Sequence, residues 1–490
     1  MFRFIVWLTP LALVGCALTP PAATVASLAP SQWQAPLPAS PDLAHGGSLL
    51  QLTQWWQQFN DPVLTEFVIA GQTASATVAA AQTRLAQARL TLASATATLL
   101  PSLKATARAS RARVQPNLPL ATTLQGGLQT TWEIDLFGGA RSTESAAQLR
   151  LAGAQALWHD ARVSMAAEVA LQYFSLRVCH QQTLLSEGDA ASRTETARLS
   201  DLTANAGFTA PATAALARAS ALEASARLRQ QRADCAVQTK ALVALTALPE
   251  ADVQQKIASL SVNNDPNSPL AGLFESSKAI FFIANPITSL PAHMLAQRPD
   301  VFNAEREVAA ASQDVGAAQA QRYPRLGLSG SVGRLGSRSG GLTTGLNTWS
   351  IGPLELSVPV LDGGLIRANI EAASATYDQA VVQYRSVVRQ AVREVEEALV
   401  NLDSTQARQA DSDGAADGYR RSFVATEARY RSGLASLVEL EDARRSLLAA
   451  RTMLITLQKE RYAAWVALYR AAGGGWSTEA LPLDTPRNPS

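Results

Sequence analysis

The apolar residues between Leu365 and Arg431 recur at alternating steps of three and four, and no proline interrupts the stretch. This spacing is typical of an α-helix that buries one narrow seam against neighbouring helices. At 1.5 Å per residue, such a helix is roughly 100 Å long. It does not fit inside a compact domain, so we expect it to bridge distant parts of an elongated architecture. The seam consists of Ile370, Ala373, Tyr377, Ala380, Tyr384, Val387, Ala391, Val395, Leu399 and Leu402.

A second pattern, a strict alternation of apolar and polar residues, predicts a β-strand that begins at Leu124. Large apolar residues share one face of this strand and polar residues share the other. The faces are Leu124, Leu128, Trp132, Ile134 and Leu136 on one side, and Gln125, Gln129, Thr131, Glu133 and Asp135 on the other. Shorter runs at 103–107, 326–332 and 354–360 predict three further strands.

The N-terminal apolar run is too short to be a permanent membrane helix, and no other stretch has 18 consecutive apolar residues. If the chain crosses a membrane, it must therefore do so with strands closed into a barrel. We expect Gln125, Gln129, Glu133 and Asp135 to face the lumen, and Trp132 and Trp349 to mark the lipid interface. Loops near Pro116 and Arg338–Gly341 would then face outside.

The order of the predicted elements occurs twice, which indicates an internal repeat. Helices are expected at 71–99, 141–205 and 212–248, and again at 300–323, 365–431 and over a shorter stretch after Gly433. An offset of 223 aligns Pro101 with Pro324, and an offset of 226 aligns Arg141, Glu168 and Gly207 with Arg367, Glu394 and Gly433. The repeats are predicted at 49–248 and 299–472. The segment 249–298 between them, rich in Pro, Asn and Ser, is expected to be an irregular linker at the equator, and 473–490 a C-terminal tail.

The long helix of each repeat ends at a glycine, which supplies the left-handed residue that reverses the chain. We therefore predict two antiparallel helical hairpins with tips at Gly207 and Gly433. Four strands cannot close a barrel, since eight is roughly the smallest closed number. The chain should oligomerise, and a trimer with twelve strands is favoured over a dimer with eight because twelve strands leave an open lumen.

The N-terminus has the pattern of a bacterial signal peptide, with a positive charge at Arg3 and an apolar run from Phe4 to Val14. Leu13–Cys16 resembles a lipobox, so residues 1–15 would be removed and Cys16 would carry a covalent lipid. Ala17 in the next position favours the outer membrane. Residues 16–48 are rich in Pro, Ala and Ser and are expected to form the lipidated cysteine and an extended tether.

Bulk composition excludes two classes of protein. The net charge of +2 and the 17% of charged residues indicate neither a nucleic-acid-binding protein nor a disordered chain.

The histidines at 45, 159, 180 and 293 lack ligand spacing, and no nucleophile elbow, phosphate loop or zinc motif occurs, so we expect no enzyme, no metal site and no cofactor. A periplasmic coiled-coil scaffold remains an alternative, although amphipathic strands and a lipobox disfavour it.

Cys179 and Cys235 each lie 28 residues from Gly207, one on each arm of the first predicted hairpin. In an antiparallel hairpin they should lie at the same level. Because the periplasm is oxidising, a disulfide between them is predicted. The alternative is two buried thiols that face different sides of the hairpin.

Motifs spread over nearly all of residues 50–476 resemble those of the TolC-type outer-membrane efflux factors, in their lipoprotein branch. Each motif is weak alone, but together, and in this order, they are specific. Within that range they are the opening Trp56, Phe59 and Asp61–Pro62, Trp132–Gly138, Gln297–Val301, Leu361–Gly364, Arg429–Leu434 and the terminal Ala471–Trp476, and the lipobox at Leu13–Cys16 precedes them.

The resemblance implies a mainly α protein with a β-barrel, in which long helical hairpins form a trimeric α-barrel beneath a shared twelve-stranded transmembrane β-barrel. It implies the outer-membrane duct of a tripartite efflux pump, which passively conducts small toxic compounds or drugs. The implied partners are two further copies of the chain, a periplasmic adaptor and an inner-membrane transporter of the RND type. The duct of a type I protein secretion system is the alternative, and the cargo is not identified.

The resemblance also assigns roles to residues near the tips. The adaptor would contact Gly207 and Phe208 on one tip and Gly433 and Leu434 on the other. The periplasmic gate would consist of Val438, Glu439 and Asp442. Three copies of an acidic side chain around a narrow axis form a negative constriction that attracts cations. Without the resemblance, Glu439, Glu441 and Asp442 would be interpreted as an ordinary solvated helix face.

Overall fold

A computed structural model describes residues 18–27, 29–30, 33–35, 56, 61–113, 119–262, 295 and 298–474. The described chain is mostly helical, with four strands. Its helices and strands, in chain order, are α1 (Pro62–Ala74), α2 (Ala76–Thr98), β1 (Ser102–Ala112), β2 (Ala121–Ile134), α3 (Gly139–Asn205), α4 (Pro211–Thr246), α5 (Glu250–Val262), α6 (Pro299–Ala320), β3 (Arg325–Ser339), β4 (Leu342–Ser357), α7 (Leu365–Arg431) and α8 (Leu437–Ala471).

The long helices agree closely with the sequence pattern. Helix α7 has the predicted bounds, and α3 has the same length of 67 residues. The order helix, two strands, long helix, shorter helix occurs twice along the chain. No single described helix is both long and apolar enough to cross a membrane. Helices α1 and α2 taken together have the length and the apolar composition of a membrane span, but they are bent by 52° at the break between them.

Two sequence predictions about secondary structure were wrong. The strands predicted at 326–332 and 354–360 are longer on the side of their connecting turn, since β3 continues to Ser339 and β4 begins at Leu342. The glycines of this stretch carry no side-chain alternation but still allow the strands to pair. The segment after residue 249 is not wholly irregular, since α5 begins there with two acidic residues in its first turn. Acidic side chains are favourable at the positive end of the helix dipole. The rest of this linker, 263–294, lies outside the described residues.

Contacts divide the chain into two compact units. Unit 1 contains Thr83–Gln155, Phe302–Ser386 and the described part of the N-terminal segment up to Ser27. Unit 2 contains the described parts of Leu28–Gln82, Ala156–Val301 and Val387–Ser490. Each unit therefore takes residues from both halves of the sequence.

Unit 1 contains a four-stranded antiparallel sheet in the order β1-β2-β3-β4. The register places Leu128 opposite Val332 and Val332 opposite Trp349, so these apolar side chains share a face that also carries Trp132. Gln129, Ser331 and Ser350 share the polar face. The strands therefore have the two unlike faces that the alternation predicts, and both tryptophans lie on the apolar one.

The ends of the strands are shaped by local residues. The β3–β4 turn is Gly340–Gly341, with φ of +58° and +87°, values that suit a two-residue hairpin turn. Strand β2 ends at Ile134, one residue before the predicted lumen residue Asp135. The Asp135 carboxylate instead accepts hydrogen bonds from the backbone N and Nε of Arg141, at 3.0 and 3.1 Å, and so stabilises the start of α3.

The N-terminal segment in unit 1 has no helix or strand but is held along two helices. Gln319 of α6 exchanges two hydrogen bonds with the backbone of Thr19. Ser312 of α6 donates to the carbonyl of Pro21, and Tyr377 of α7 donates to the carbonyl of Ala22. These contacts are not evident from the composition of the segment.

Unit 2 contains an apolar core with Leu64, Phe67, Tyr173, Leu399 and Leu468. Asp61 caps the start of α1 by accepting from the backbone N of Val63 and Leu64. Its second carboxylate oxygen accepts from Tyr173 and, at 3.1 Å, from Arg177. This polar group is therefore satisfied although it is buried.

Cys179 on α3 and Cys235 on α4 form a disulfide in the structure, with Cα atoms 5.6 Å apart. This is the pairing that the equal spacing from Gly207 predicts. The disulfide joins the two arms of the first hairpin within unit 2.

Candidate functional site at the hairpin tips

The two tips have the same backbone geometry. At the first, Gly207 has φ of +78°, and Phe208 N donates to Thr203 O at 2.9 Å. At the second, Gly433 has φ of +74°, and Leu434 N donates to Arg429 O at 2.8 Å. This bond from the second residue beyond the helix is the Schellman arrangement, which requires the left-handed residue that glycine adopts without strain. Phe208 and Leu434 are 83% and 70% exposed, so both tips present one large apolar side chain to solvent.

The helices that leave the tips begin differently. Helix α4 begins with Pro211. Proline is favoured at the start of a helix because the backbone N–H that it lacks would have no acceptor within the helix there. Helix α8 begins with a capping box, in which Ser436 Oγ accepts from Glu439 N and the Glu439 carboxylate accepts from Ser436 N at 2.6 Å. The hydrogen bond from the Ser436 backbone lowers the pKa of Glu439 below its ordinary value.

One turn into α8, a buried carboxylate joins three helices. Glu441 accepts from Arg193 of α3 and from Ser220 Oγ of α4, the latter at 2.8 Å. On the same helix, Arg444 donates to Glu441 at 2.8 Å. Arg193 is also paired with Asp189 at 2.9 Å. Each charge in this cluster therefore has an opposite partner, as burial requires.

Arg444 extends the cluster along α3. It donates to Ser192 Oγ at 2.8 Å and to Thr196 Oγ1 at 2.9 Å, and its guanidinium lies 5.8 Å from the ring centroid of Phe423 on α7. Below this polar layer, Leu437 and Leu440 pack against alanines of the first hairpin. We call Asp189, Arg193, Ser220, Glu441 and Arg444 the tip cluster. It joins both hairpins within unit 2.

The predicted gate residues lie beside the tip cluster on α8. Val438 is 55% exposed, and Asp442 is an exposed partner of Arg445 at 3.4 Å. Glu439 is exposed and takes part in the capping box. The gate needs several copies of the chain around one axis, so its assignment stays a prediction.

Sequence reasoning missed the tip cluster and grouped Glu441 with the solvated residues. A signal was present, because Leu437, Leu440, Arg444 and Leu447 follow each other at steps of three and four. That spacing places Arg444 on the buried seam of α8, where a charge requires a partner. Glu441 pairs with Arg444 and also with Arg193, which lies 248 residues away from Glu441 and has no such signal.

The lipidation site and the histidines remain to be placed. Cys16 and the signal peptide lie outside the described residues. Among the residues that the structure describes, no group of three His, Cys, Asp or Glu side chains could hold a metal ion. His159 is largely buried, which lowers its pKa.

Comparison with known proteins gives a consistent result. A family model described as outer membrane efflux protein matches residues 72–248 and 290–474. Nodulation protein T of Rhizobium leguminosarum bv. trifolii is 29% identical over 500 aligned residues, which cover 98% of this chain and 99% of that protein. Outer membrane protein OprJ of Pseudomonas aeruginosa is 31% identical over 386 residues, 77% of each chain. The toluene efflux pump outer membrane protein TtgI of Pseudomonas putida is 27% identical over 480 residues, 95% of this chain and 97% of that protein.

Solved structures show the same likeness. The outer-membrane channel OprN matches with a TM-score of 0.76 and 26% identity, over 92% of this chain and 99% of that channel. The open-state outer membrane channel MtrE of Neisseria gonorrhoeae matches in fold with a TM-score of 0.76 at 23% identity, over 94% and 98% of the two chains. The mostly helical fold with one four-stranded antiparallel sheet is thus that of TolC-type channels.

Proposed function

The chain belongs to the outer membrane efflux protein family, and on that premise we propose that three copies assemble into one duct. Each copy contributes four strands to a twelve-stranded barrel in the outer membrane. The hairpins of the three copies form an α-barrel in the periplasm, built from the two internal repeats of each chain. A lipid on Cys16 anchors the duct to the outer membrane.

The observation that carries this proposal is the sheet of unit 1. Its apolar face exposes Leu124, Val332, Trp349 and Ile351 by 56% or more. Within the described part of the chain, its outer strands β1 and β4 each have a strand neighbour on one side only. A membrane tolerates such edges only when they are paired, which closure with other copies of the chain achieves.

We further propose that the duct works with a periplasmic adaptor and an inner-membrane transporter of the RND type. The repeated tips with exposed Phe208 and Leu434 offer the adaptor two equivalent contact points. In this proposal the inner-membrane transporter provides the energy, and conduction through the duct itself is passive. Because one relative is named for toluene efflux, we propose small toxic or drug-like compounds as the cargo.

The periplasmic gate is proposed at Val438, Glu439 and Asp442. Three copies of two carboxylates around the axis make a negative constriction that favours cations. The tip cluster lies beside these residues on α8 and holds this helix against the first hairpin.

Native mass spectrometry of the detergent-extracted, lipidated protein tests the assembly, and planar bilayers test conduction. We expect a mass of three chains and cation-selective channels of low conductance. A stable monomer would contradict the proposal, because four strands would keep unpaired edges in lipid.

A further inference from the structure

Three arginines lie on the apolar face of the sheet, all near the β3–β4 turn. The strand register places Arg111 of β1 and Arg338 of β3 opposite Thr122 of β2, on the same face. Two strand spacings separate their Cα atoms by about 10 Å. Arg334 lies on the same face, opposite Gly126 and Asn347. All three side chains are exposed.

Along the strands, the arginines and the large apolar residues occupy different parts of this face. On the side away from the turn it carries the apolar rows that include Leu128, Val332, Trp349 and Leu354. Among the described strand residues, this face holds no Asp or Glu; Glu133 and Glu355 lie on the opposite face. None of the three arginines has an ion-pair partner within the described part of the chain. The positive charge is therefore not neutralised by any of the described residues.

Glycines allow the deepest of the three arginines to reach towards the turn. Gly336 and Gly345 are paired in the row between Arg334 and Arg338. A guanidinium nitrogen of Arg334 lies 3.8 Å from the position that a Cβ at Gly345 would occupy. The long side chain thus extends over a surface without side chains, in the manner of a residue that brings its charge to the membrane interface.

The depth of these residues can be estimated from strand geometry. At about 3.3 Å per residue, Arg334 and Arg338 lie about 26 and about 40 Å along β3 from Leu326. A strand tilt of about 40° reduces these distances to about 20 and about 30 Å along the membrane normal. The apolar band of such barrels is about 25 Å tall, and we count it from the level of Leu326. Arg338 and Arg111 therefore lie at the level of the head groups, and Arg334 lies just below and reaches up to them.

We propose that Arg111, Arg334 and Arg338 bind the phosphate groups of a phosphorylated glycolipid in the outer leaflet. The inference rests on the proposed barrel, which exposes this face to lipid. Guanidinium groups bind phosphate oxygens through paired, charge-assisted hydrogen bonds. Three of them on a face without carboxylates attract an anionic head group, while Leu124 and Val332 lie where its acyl chains would run.

The test uses the full-length trimer in detergent, titrated with bis-phosphorylated lipid A and followed by native mass spectrometry. Dephosphorylated lipid A, phosphatidylglycerol and inorganic phosphate are the comparison probes. The test variant is Arg111→Ala/Arg334→Ala/Arg338→Ala. Its matched control is Lys104→Ala/Arg108→Ala/Arg325→Ala, which removes three positive charges from the opposite face of the sheet.

We expect the unmodified trimer to bind bis-phosphorylated lipid A at least about tenfold more tightly than the dephosphorylated form, since each guanidinium–phosphate contact is charge-assisted. The test variant should lose this preference, and the control should keep it. Equal loss in both variants, an unchanged test variant, or equal binding of both forms of lipid A would overturn the inference. Binding of phosphatidylglycerol or inorganic phosphate as tight as that of lipid A would overturn the choice of a glycolipid.

A parallel measurement separates this inference from the proposed duct. Each variant is also weighed as an oligomer and assayed for conductance in planar bilayers. A trimer that conducts but binds bis-phosphorylated and dephosphorylated lipid A equally refutes only the lipid site. A protein that neither assembles nor conducts refutes the duct, and the lipid site with it.

Discussion

Glu441 shows how much a single buried carboxylate contributes at the tips. It has two arginine partners, and Glu441→Gln would leave both without their shared negative charge. Removing one partner of a buried ion pair costs about 3 kcal/mol or more. We expect the variant to lower the free energy of unfolding by that amount, with faster hydrogen exchange in the last turns of α3 and the first turns of α8.

Glu223→Gln is the matched control, because Glu223 is an exposed partner of Arg227 on the first hairpin. Exposed pairs contribute about 0–1 kcal/mol, so this control should unfold like the parent protein. Equal effects of the two substitutions would mean that the tip cluster is solvated in the assembled protein.

Asp160 introduces a pH dependence in unit 2. Burial, followed by repulsion from Asp300, raises its pKa from 3.8 to about 6. The folded chain therefore holds this proton more tightly than the unfolded chain, and stability is lost as the pH rises between these two values. The corresponding free energy is at most about 3 kcal/mol.

The variant Asp160→Asn removes this ionisation. We expect its Tm to exceed that of the parent protein at about pH 7.5, and the difference to vanish near pH 4. The exposed Asp411→Asn should show no such trend. A Tm difference that is independent of pH would indicate a packing effect instead.

At the scale of elements, the turn at Gly433 depends on backbone conformation alone. Its φ is +74°, and a Cβ there would meet no atom within 4 Å. Gly433→Ala therefore adds only strain, and we expect it to destabilise the hairpin by about 1 kcal/mol.

Gly414 inside α7 provides the opposite case. A Cβ there also meets nothing within 4 Å, but the backbone is helical. Gly414→Ala should stabilise the protein by about 1 kcal/mol. Thermal unfolding of both variants and of the parent protein measures the two effects. Effects of the same sign at both glycines would contradict this account of the turn.

The arms of the first hairpin are joined covalently as well as by packing. The Cys179–Cys235 disulfide closes a loop with a sequence separation of 56. The loop-entropy relation gives about 4 kcal/mol for a loop of this length. We expect no reactive thiol at these positions in the unreduced mature protein, and a lower Tm for Cys179→Ser/Cys235→Ser. Two reactive thiols would refute the disulfide.

At the scale of the whole molecule, the gate is the property that only an assembly can have. Glu439→Gln/Asp442→Asn removes the two carboxylates from each copy, and a glutamine keeps the capping box of α8 intact. We expect the trimer to lose its preference for cations over anions in planar bilayers. The control Glu195→Gln/Glu223→Gln removes two exposed carboxylates from the first hairpin and should leave selectivity unchanged. Equal effects of the two variants would place the constriction elsewhere.

Some features of this protein are determined by the sequence alone because their physical causes are local. The bounds of α7 follow from its apolar period, the tips follow from glycines that tolerate positive φ, and the faces of β2 follow from alternation. Equal distances from Gly207 predict the cysteine pair. Each of these depends on residues whose spacing along the chain sets their spacing in space.

Other features were decided only by the tertiary structure, because they join residues that are distant in sequence. The pairing of Arg193 with Glu441 buries charges that look solvated in isolation. The full extent of β3 and β4 depends on partners across the sheet, since glycines carry no pattern. The hydrogen bonds of Thr19 and Pro21 depend on helices about 300 residues away. A sequence pattern specifies which side of an element is apolar, but only packing specifies which polar groups meet there and satisfy one another.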